Sequence, residues 1–568
     1  MNVIIAVCAL LGAADATAGG GGSAPAPELI LHGGRIITVA GDAALAARPS
    51  GEAPSAVAVA GGRILAVGDD ASILALANAR TRRVDLGGAV VVPGFCDGHA
   101  HLRGLGWSLT QIDLMGTSSA TEAVERVRQA AAAAADGSWL QGRGWDQNDW
   151  EVPVFPDRQL LDAAVGDRPV LLKRVDGHAA WVSSAALRIA GIDADTPDPA
   201  GGAILRDAAG LPTGILVDRA ADLVAAAIPA DGPEEIRRQI HRATEHCLRH
   251  GVTGVHEAGA TWDVLEVYRS MADAGELGMR VYAMLEDDPA TLDRGLARGP
   301  WSHPGGRLSV RAVKLYADGA LGSRGALLLA DYRDDPGNRG LLVTPREHLR
   351  DVMARAREAG FQVCTHAIGD GANRLVLDLY AEVLGEAAGG DHRWRIEHAQ
   401  IIHPDDLPRF AALNVLAAMQ PLHCTSDLDW APDRLGEDRL AGAYAWRSLL
   451  DLGTHVSFGT DFPVEVVDPL AGLYAARTRM HQDGTPAGGW RPHERLDGAT
   501  ALELYTAAPA HASFQEDVLG RIVPGQRADL VVLGGDPVDD EPAALLTMPV
   551  LMTLVDGAIV HDAREAGR

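Results

Sequence analysis

Cysteine is scarce in this chain. Five occur in 568 residues, Cys8, Cys96, Cys247, Cys364 and Cys424, and none forms a Cys-x-x-Cys pair. That leaves neither a disulfide framework nor a cysteine ligand set. Cys96 and Cys364 fall in apolar, strand-like runs where a small thiol packs well, and they read as core residues. Positive charge is also short: 50 Lys and Arg face 76 Asp and Glu, a net charge of −26. Such a balance argues against a nucleic-acid backbone or an anionic lipid surface as partner. Beyond the first two dozen residues no apolar run is long enough to span a bilayer. After residue 27 there is no tandem repeat and no long low-complexity segment. What remains is a chain 47% hydrophobic and 22% charged. It can bury a large core, in more than one domain, and suits an acidic protein acting on small molecules. A homodimer stands open as its assembly state.

Residues 1–27 stand apart. Val3 to Ala14 is apolar, Ala14-Asp15-Ala16 and Ala16-Thr17-Ala18 are small-x-small sites, and a Gly/Ala/Pro-rich linker runs to Pro27. The expectation is an export signal, placing the protein in the periplasm or outside the cell. No Lys or Arg precedes the apolar run, so a misassigned start or a disordered tail, and a cytoplasmic protein, is the alternative. Val7 is too bulky for Cys8 to sit in a lipid-anchor site.

Against these absences, histidines recur at the ends of strand-like runs. Ala89 to Phe95 is uninterrupted and apolar, as for a strand buried on both faces in a parallel sheet, and ends in Asp97-Gly98-His99-Ala100-His101. Residues i and i+2 of a strand point to one side. His99 and His101 thus present two imidazoles where a borderline-soft divalent metal needs them. Val310 to Lys314 leads into Asp318; Phe361 to His366 leads into Asp370; Trp394 to His398 leads into Gln400; His455 to Asp461 leads into Pro463. A (β/α)₈ barrel spends roughly 30 residues per unit, with its chemistry at the C-terminal strand ends. His366 to His398 is 32 residues, His398 to Asp461 is 63, Lys314 to His366 is 52, and His101 to Lys314 is 213. Those steps assign strands 1, 4, 5, 6 and 8, with an insertion on the order of 100 residues after the first.

His-x-His followed by Lys, His, His and Asp resembles the amidohydrolase superfamily. "GRGWDQNDW" (from Gly142), "DGHAAWVSSAAL" (from Asp176), "VKLYADGALGSRGA" (from Val313), "THAIGDGAN", "RIEHAQ", "FGTDFPV" and "GRIVPGQRADLVVL" resemble the amidohydrolase-3 branch that includes N-substituted formamide deformylases. The likeness runs from about Leu29 to about Val560. It implies a TIM-like metal-dependent hydrolase barrel over residues 93–511, with an insertion at about 120–235. It also implies a small composite β-sandwich from residues 28–92 and 512–563. Gly33-Gly34, Gly61-Gly62 and Gly87-Gly88 divide the N-terminal apolar runs and read as two-residue hairpin turns. Within the insertion, Thr121 to Ala135 reads as a helix and Gly142 to Trp150 as a loop. Glu234 to Arg249 and Arg346 to Ala359 read as outer helices of the barrel.

The implied ligands are His99, His101, Lys314, His366, His398 and Asp461, holding one or two divalent ions, zinc first. Such an ion lowers the pKa of bound water from 15.7 to about 7 and polarises a carbonyl. Asp461 is the candidate to carry the proton from water to a leaving amine. His398 is either a second-metal ligand or an oxyanion donor. In many relatives a lysine at the position of Lys314 is carboxylated and bridges two metals; a salt bridge to Asp318 or a snorkelling side chain is the plain alternative. Candidate substrate contacts are His178, His423, Trp145 and Asp146 in a lid that also holds Trp150, and Arg324 as a carboxylate binder. His241, His246, His250 and His256, at near-helical spacing, read as helix surface and packing residues.

The function expected is hydrolysis of a non-peptide C–N bond, an amide or N-formyl group of a small molecule. Ester or lactone hydrolysis, or deamination, on the same site is the alternative. Deaminases of the superfamily generally carry a glutamate just past the strand-5 histidine, whereas His366 is followed by Ala-Ile-Gly-Asp. A non-enzymatic scaffold would have lost ligands, and none is missing.

Overall fold

The computed structural model describes residues 26–39, 53–134, 137–147, 150–174, 179–199 and 202–564. The expected export segment and His178 lie outside them. Eight parallel strands form the central element: Phe95–Ala100, Val252–Ala260, Arg280–Leu285, Leu308–Tyr316, Gln362–Ala367, Arg395–His398, Leu416–Met419 and Val456–Phe458. Each pairs in parallel with the next. The barrel is closed at its mouth by side chain and backbone. The Asp97 carboxylate accepts from Thr460 N at 3.0 Å and Thr460 Oγ1 at 2.6 Å, and Asp461 N donates to His99 O at 2.8 Å. Two glycines let this seam close. A Cβ on Gly98 would stand 2.7 Å from Phe458 O, and one on Gly459 2.5 Å from His99 N.

Helices pack outside the strands. In Pro233–Arg249, Pro233 opens the first turn with Glu234 and Glu235, and His246 and Arg249 end the last, matching the helix dipole. Its buried Ile236, Ile240, Ala243 and Cys247 recur at helical spacing and face the barrel core. Burying each isoleucine there is worth about 1.5–3 kcal/mol. Arg346–Glu358 packs the same way through Leu349, Val352, Met353 and Ala356.

The residues between the first and second barrel strands build a second sheet. Its six strands run in the order Gly202–Arg206, Pro212–Asp218, Ala179–Val182, Val170–Arg174, Leu140–Trp145 and Ile112–Asp113. Alternation sends Val170, Leu172 and Trp181 to one face, under the helices Ala120–Ala133 and Arg158–Val165. Leu171, Ala180 and Val182 go to the other, under Ser184–Ile189 and Arg219–Ala225. The expected loop at Gly142 is therefore a strand through Trp145, because it pairs with Val170–Arg174.

Two further sheets lie beside the barrel. One orders Arg63–Gly68, Ala56–Ala60, Leu29–His32 and Arg82–Asp85; the other Arg35–Ile36, Val90–Pro93, Leu530–Leu533, Val550–Val555 and Ala558–Asp562. They share a core of Leu29, Leu31, Val57, Val59, Val91, Leu530, Val532 and Leu554. Of the three expected hairpins only Gly61-Gly62 makes one. Gly33-Gly34 and Gly87-Gly88 carry the chain from one sheet to the other, since the strands on either side pair elsewhere. Arg280, at the start of the third barrel strand, is buried against Asp529 and Asp556 and ties the barrel to the second of these sheets. No helix among the described residues is long and apolar enough to cross a membrane.

Candidate metal centre

Strand ends bring the predicted ligands to one barrel mouth. His99 lies near the end of the first strand, Lys314 in the fourth, His366 in the fifth and His398 closes the sixth; Asp461 follows the eighth. His398, Ala399 and Asp461 have φ of 72°, 44° and 61°, a left-handed backbone that costs energy in non-glycine residues and concentrates at functional sites. Ring centroids are 4.7 Å apart for His99 and His398, 4.5 Å for His366 and His398, and 5.7 Å for His99 and His101. Asp461 Oδ1 lies 3.6 Å from His99 Nε2 and 3.2 Å from His101 Nε2. One ligand atom each from His99, His398 and Asp461 lie within 4.8 Å of one another.

The unused atoms there define what the site can hold. His99 Nε2, His366 Nε2 and Asp461 Oδ1 are all buried without a hydrogen-bond partner. Leaving such atoms unpaired costs roughly 1–3 kcal/mol each; His99 and Asp461 converge with His398, whereas His366 Nε2 stands 3.5 Å from Asp318 Oδ1. Two imidazole nitrogens and a carboxylate oxygen suit a divalent metal of zinc type. The far sides of the rings are already fixed. His398 Nδ1 donates to Gln420 Oε1 at 2.9 Å, and the Gln420 amide donates to Ala418 O, so His398 Nε2 carries the lone pair. His99 Nδ1 pairs closely with Glu397 Oε2.

Glu397 is the anion beneath the site. It is fully buried, and Arg395 Nε stands 2.6 Å from its other oxygen. Burial alone would raise its pKa, but Arg395 and His99 overcome that and hold it at about 2. Arg395 in turn reaches His256 Nδ1 at 2.9 Å and Cys364 Sγ at 3.2 Å. His256 is therefore not a helix-surface residue. It lies in the second barrel strand, and burial followed by the Arg395 charge keeps it neutral.

Electrostatics favour neutral imidazoles at the mouth, the form that binds metal. Burial, then Lys314, lowers His99 to about 4 and His366 to about 3. Lys314 is 1% exposed, with Nζ 4.6 Å from the Tyr316 ring centre, and burial lowers its pKa against the pull of Glu397 and Asp461. The expected alternative pairing with Asp318 is not made. Asp318 instead accepts from the backbone of Leu327, Ile368 and Gly369 at 2.8–3.0 Å.

His423 stacks on His398 at 5.9 Å and spans two carboxylates, with Nε2 3.3 Å from Asp461 Oδ2 and Nδ1 3.2 Å from Glu465 Oε1. Burial would depress it, but these two carboxylates raise it to about 10. They hold it as an imidazolium. Asp461, pushed up by burial, is held well below the usual carboxylate range by His101 and His423.

Other predicted contacts lie elsewhere. Trp145 and Trp150 pack 5.9 Å apart in the core of the six-stranded sheet, and Trp145 Nε1 donates to Leu172 O. A large indole buried on an inner strand face cannot also close a lid. Asp146 pairs with Arg174 at 2.8 Å. Arg324 is locked side-on to Asp334 at 2.8 and 3.1 Å, which occupies the guanidinium edge that a substrate carboxylate would need. Glu397, Gln420 and Glu465 were not singled out from the sequence. The signal for Glu397 is the alternation Arg395, Glu397 on the inward face of an otherwise apolar strand.

The ligand cluster floors a cavity of about 430 Å³, walled by Tyr316, Leu321, Ile368, Trp430 and Val464, with Asp427 and Glu465 on one side. Volume and lining suit a small organic molecule.

Comparison with known proteins places this geometry. The model of the amidohydrolase family matches residues 82–561. A putative amidohydrolase of Bacillus subtilis, YtcJ, is 36% identical over 491 residues, covering 85% of this chain and 91% of the relative. The N-substituted formamide deformylase of Arthrobacter pascens is 30% identical over 499 residues, 84% of this chain and 90% of the enzyme. The crystal structure of an uncharacterized metal-dependent hydrolase from Pyrococcus furiosus superposes with a TM-score of 0.74 at 31% identity, over 91% of this chain and 99% of that one.

Proposed function

The chain belongs to the amidohydrolase family, and on that premise we propose that it hydrolyses a non-peptide C–N bond, of amide or N-formyl type, with one or two divalent ions of zinc type. The observation that carries this reading is the trio of buried, unpartnered atoms, His99 Nε2, His366 Nε2 and Asp461 Oδ1, on the floor of one cavity. His99, His101, Lys314, His366, His398 and Asp461 are the residues that would hold the ions. When bound, such an ion acts as a Lewis acid that polarises an acyl carbonyl and acidifies water. Water adds to the acyl carbon, the C–N bond breaks, and the products are a carboxylic acid and an amine.

The chain's own groups move the proton. Asp461 takes it from the attacking water and passes it to the leaving nitrogen through Oδ1, the oxygen that His423 does not hold. His423, bonded to Oδ2, keeps that carboxylate oriented. Glu397 and Gln420 fix the rings of His99 and His398. Lys314, whose charge burial disfavours, would help hold the ions, and addition of CO₂ to its amine in the neutral form would turn it into an anionic carbamate ligand. Intact mass of the native protein reads that adduct directly.

The test is a hydrolysis screen of the metal-loaded protein over N-formyl, N-acetyl and aminoacyl amides, with matched esters alongside. The reading expects turnover of an amide class in preference to its ester. Ester turnover with every amide inert would overturn it.

A further inference from the structure

The cavity is charged in layers. Its floor holds the ligand cluster and Lys314, whereas its outer wall carries Asp427 and Glu465. Among the described residues, each wall carboxylate has one oxygen committed and the other without a partner. Asp427 Oδ2 accepts from Tyr444 Oη at 2.5 Å and Gln400 Nε2 at 2.6 Å; Glu465 Oε1 accepts from Ser426 Oγ at 2.8 Å and from His423. Trp430 lines the same cavity.

No arginine lines this cavity among the described residues, and Lys314 is its only lysine. Two arginines of the neighbouring segments are already engaged. Arg324 forms a side-on pair with Asp334. Arg434 pairs with the same Asp334, donates to Gly322 O at 3.3 Å, and backs the Trp430 ring at 5.5 Å. A carboxylate-bearing substrate that placed its acyl group on the floor would find two carboxylates at the wall, and the one cation beside them, His423, has both ring nitrogens engaged by Glu465 and Asp461. The cavity is a ligand site on independent grounds, since buried, unpartnered His99 Nε2, His366 Nε2 and Asp461 Oδ1 belong to its floor.

We propose that the substrate is an amide whose end remote from the scissile bond carries a positive charge, received between Asp427 and Glu465 against Trp430. This rests on the reading of the site as a C–N hydrolase. The free oxygens of the two carboxylates supply charge-assisted hydrogen bonds, and the indole supplies a cation–π contact. The same wall rejects anionic analogues by unpaired charge.

The experiment is a charge series of one length: the N-formyl derivatives of diaminobutane, butylamine and aminobutyrate, which are cationic, neutral and anionic. The expected order of kcat/KM is cationic, neutral, anionic, with about a 10- to 100-fold step from the first to the second, the worth of a hydrogen bond to a charged group. Asp427→Asn should reduce the cationic-to-neutral ratio by about tenfold. Equal rates across the series, or a faster anionic member, would overturn the proposal. In parallel, calorimetry of the metal-loaded protein with the three product amines reads the wall without chemistry. Diaminobutane binding tightest supports the charge inference even if no amide is cleaved, in which case only the hydrolase reading falls. Aminobutyrate binding as tightly as diaminobutane overturns the charge inference whatever is cleaved.

Discussion

Replacing Glu397 by glutamine separates the two tasks assigned to it. In the wild type its carboxylate neutralises Arg395, 2.6 Å away, and holds His99. Glutamine keeps the shape and removes the charge. The remaining partners of the buried guanidinium are then neutral: His256 Nδ1 at 2.9 Å, Cys364 Sγ at 3.2 Å and Met284 Sδ at 3.7 Å. An uncompensated charge at that depth costs about 3–5 kcal/mol, to be read by denaturant unfolding of the metal-free protein. Loss of the anion behind a ligating histidine weakens metal about 10- to 100-fold, to be read by competition with a chelating dye. Glu397 has its pKa lowered from 4.5 to about 2 in the fold, so its stabilisation is complete above 4.5 and fades as pH falls toward about 2. The wild-type advantage over Glu397→Gln should therefore narrow only below pH 4.5. Adding Arg395→Met to Glu397→Gln should recover stability, because the stranded charge is gone, yet leave metal binding weak. Recovery of both together would mean that the metal loss was misfolding, and the reasoning would fail.

Four further outcomes are expected. Asp461→Asn should lose at least about 100-fold in kcat while binding metal, since it removes the proton carrier; near wild-type turnover would move that role to another residue. Gln420→Leu removes the acceptor of His398 Nδ1 and should weaken metal about 10- to 100-fold, with Gln420→Glu retaining it. Arg280→Met strands Asp529, while Asp556 keeps Arg307 and Arg527, and should cost about 3–5 kcal/mol in unfolding without changing kcat of the folded fraction. Truncation before Leu530 leaves Val90–Pro93 without its antiparallel partner, so limited proteolysis should open the N-terminal strands as well.

The barrel was legible because its strands are apolar runs that recur at multiples of roughly 30 residues once the long excursions after the first and fourth strands are allowed for. The register of His99, Lys314, His366, His398 and Asp461 follows from that counting alone. The second sheet was not legible. Ile112–Asp113 is two residues long, and a bulge breaks the pairing at Lys173 and Arg174, so no clean alternation survives. Gly-Gly misled at Gly33 and Gly87 because a turn between sheets has the same composition as a hairpin. The polar interior was hidden for a different reason. Arg395, Glu397 and His256 pair across strands far apart in sequence, and the near-helical spacing of His241, His246, His250 and His256 masked the change from helix to strand at Gly251. Trp145 suggested a lid because aromatic loops and aromatic cores share residue types; only its pairing with Leu172 and Trp181 separates them.

The most direct test of the account is titration of zinc into metal-stripped protein while hydrolysis of a formamide substrate is followed. Activity should rise in proportion to added metal and level off at one or two equivalents, with His99→Ala flat across the same range. Full activity in the stripped protein, or an undiminished rise in His99→Ala, would contradict it.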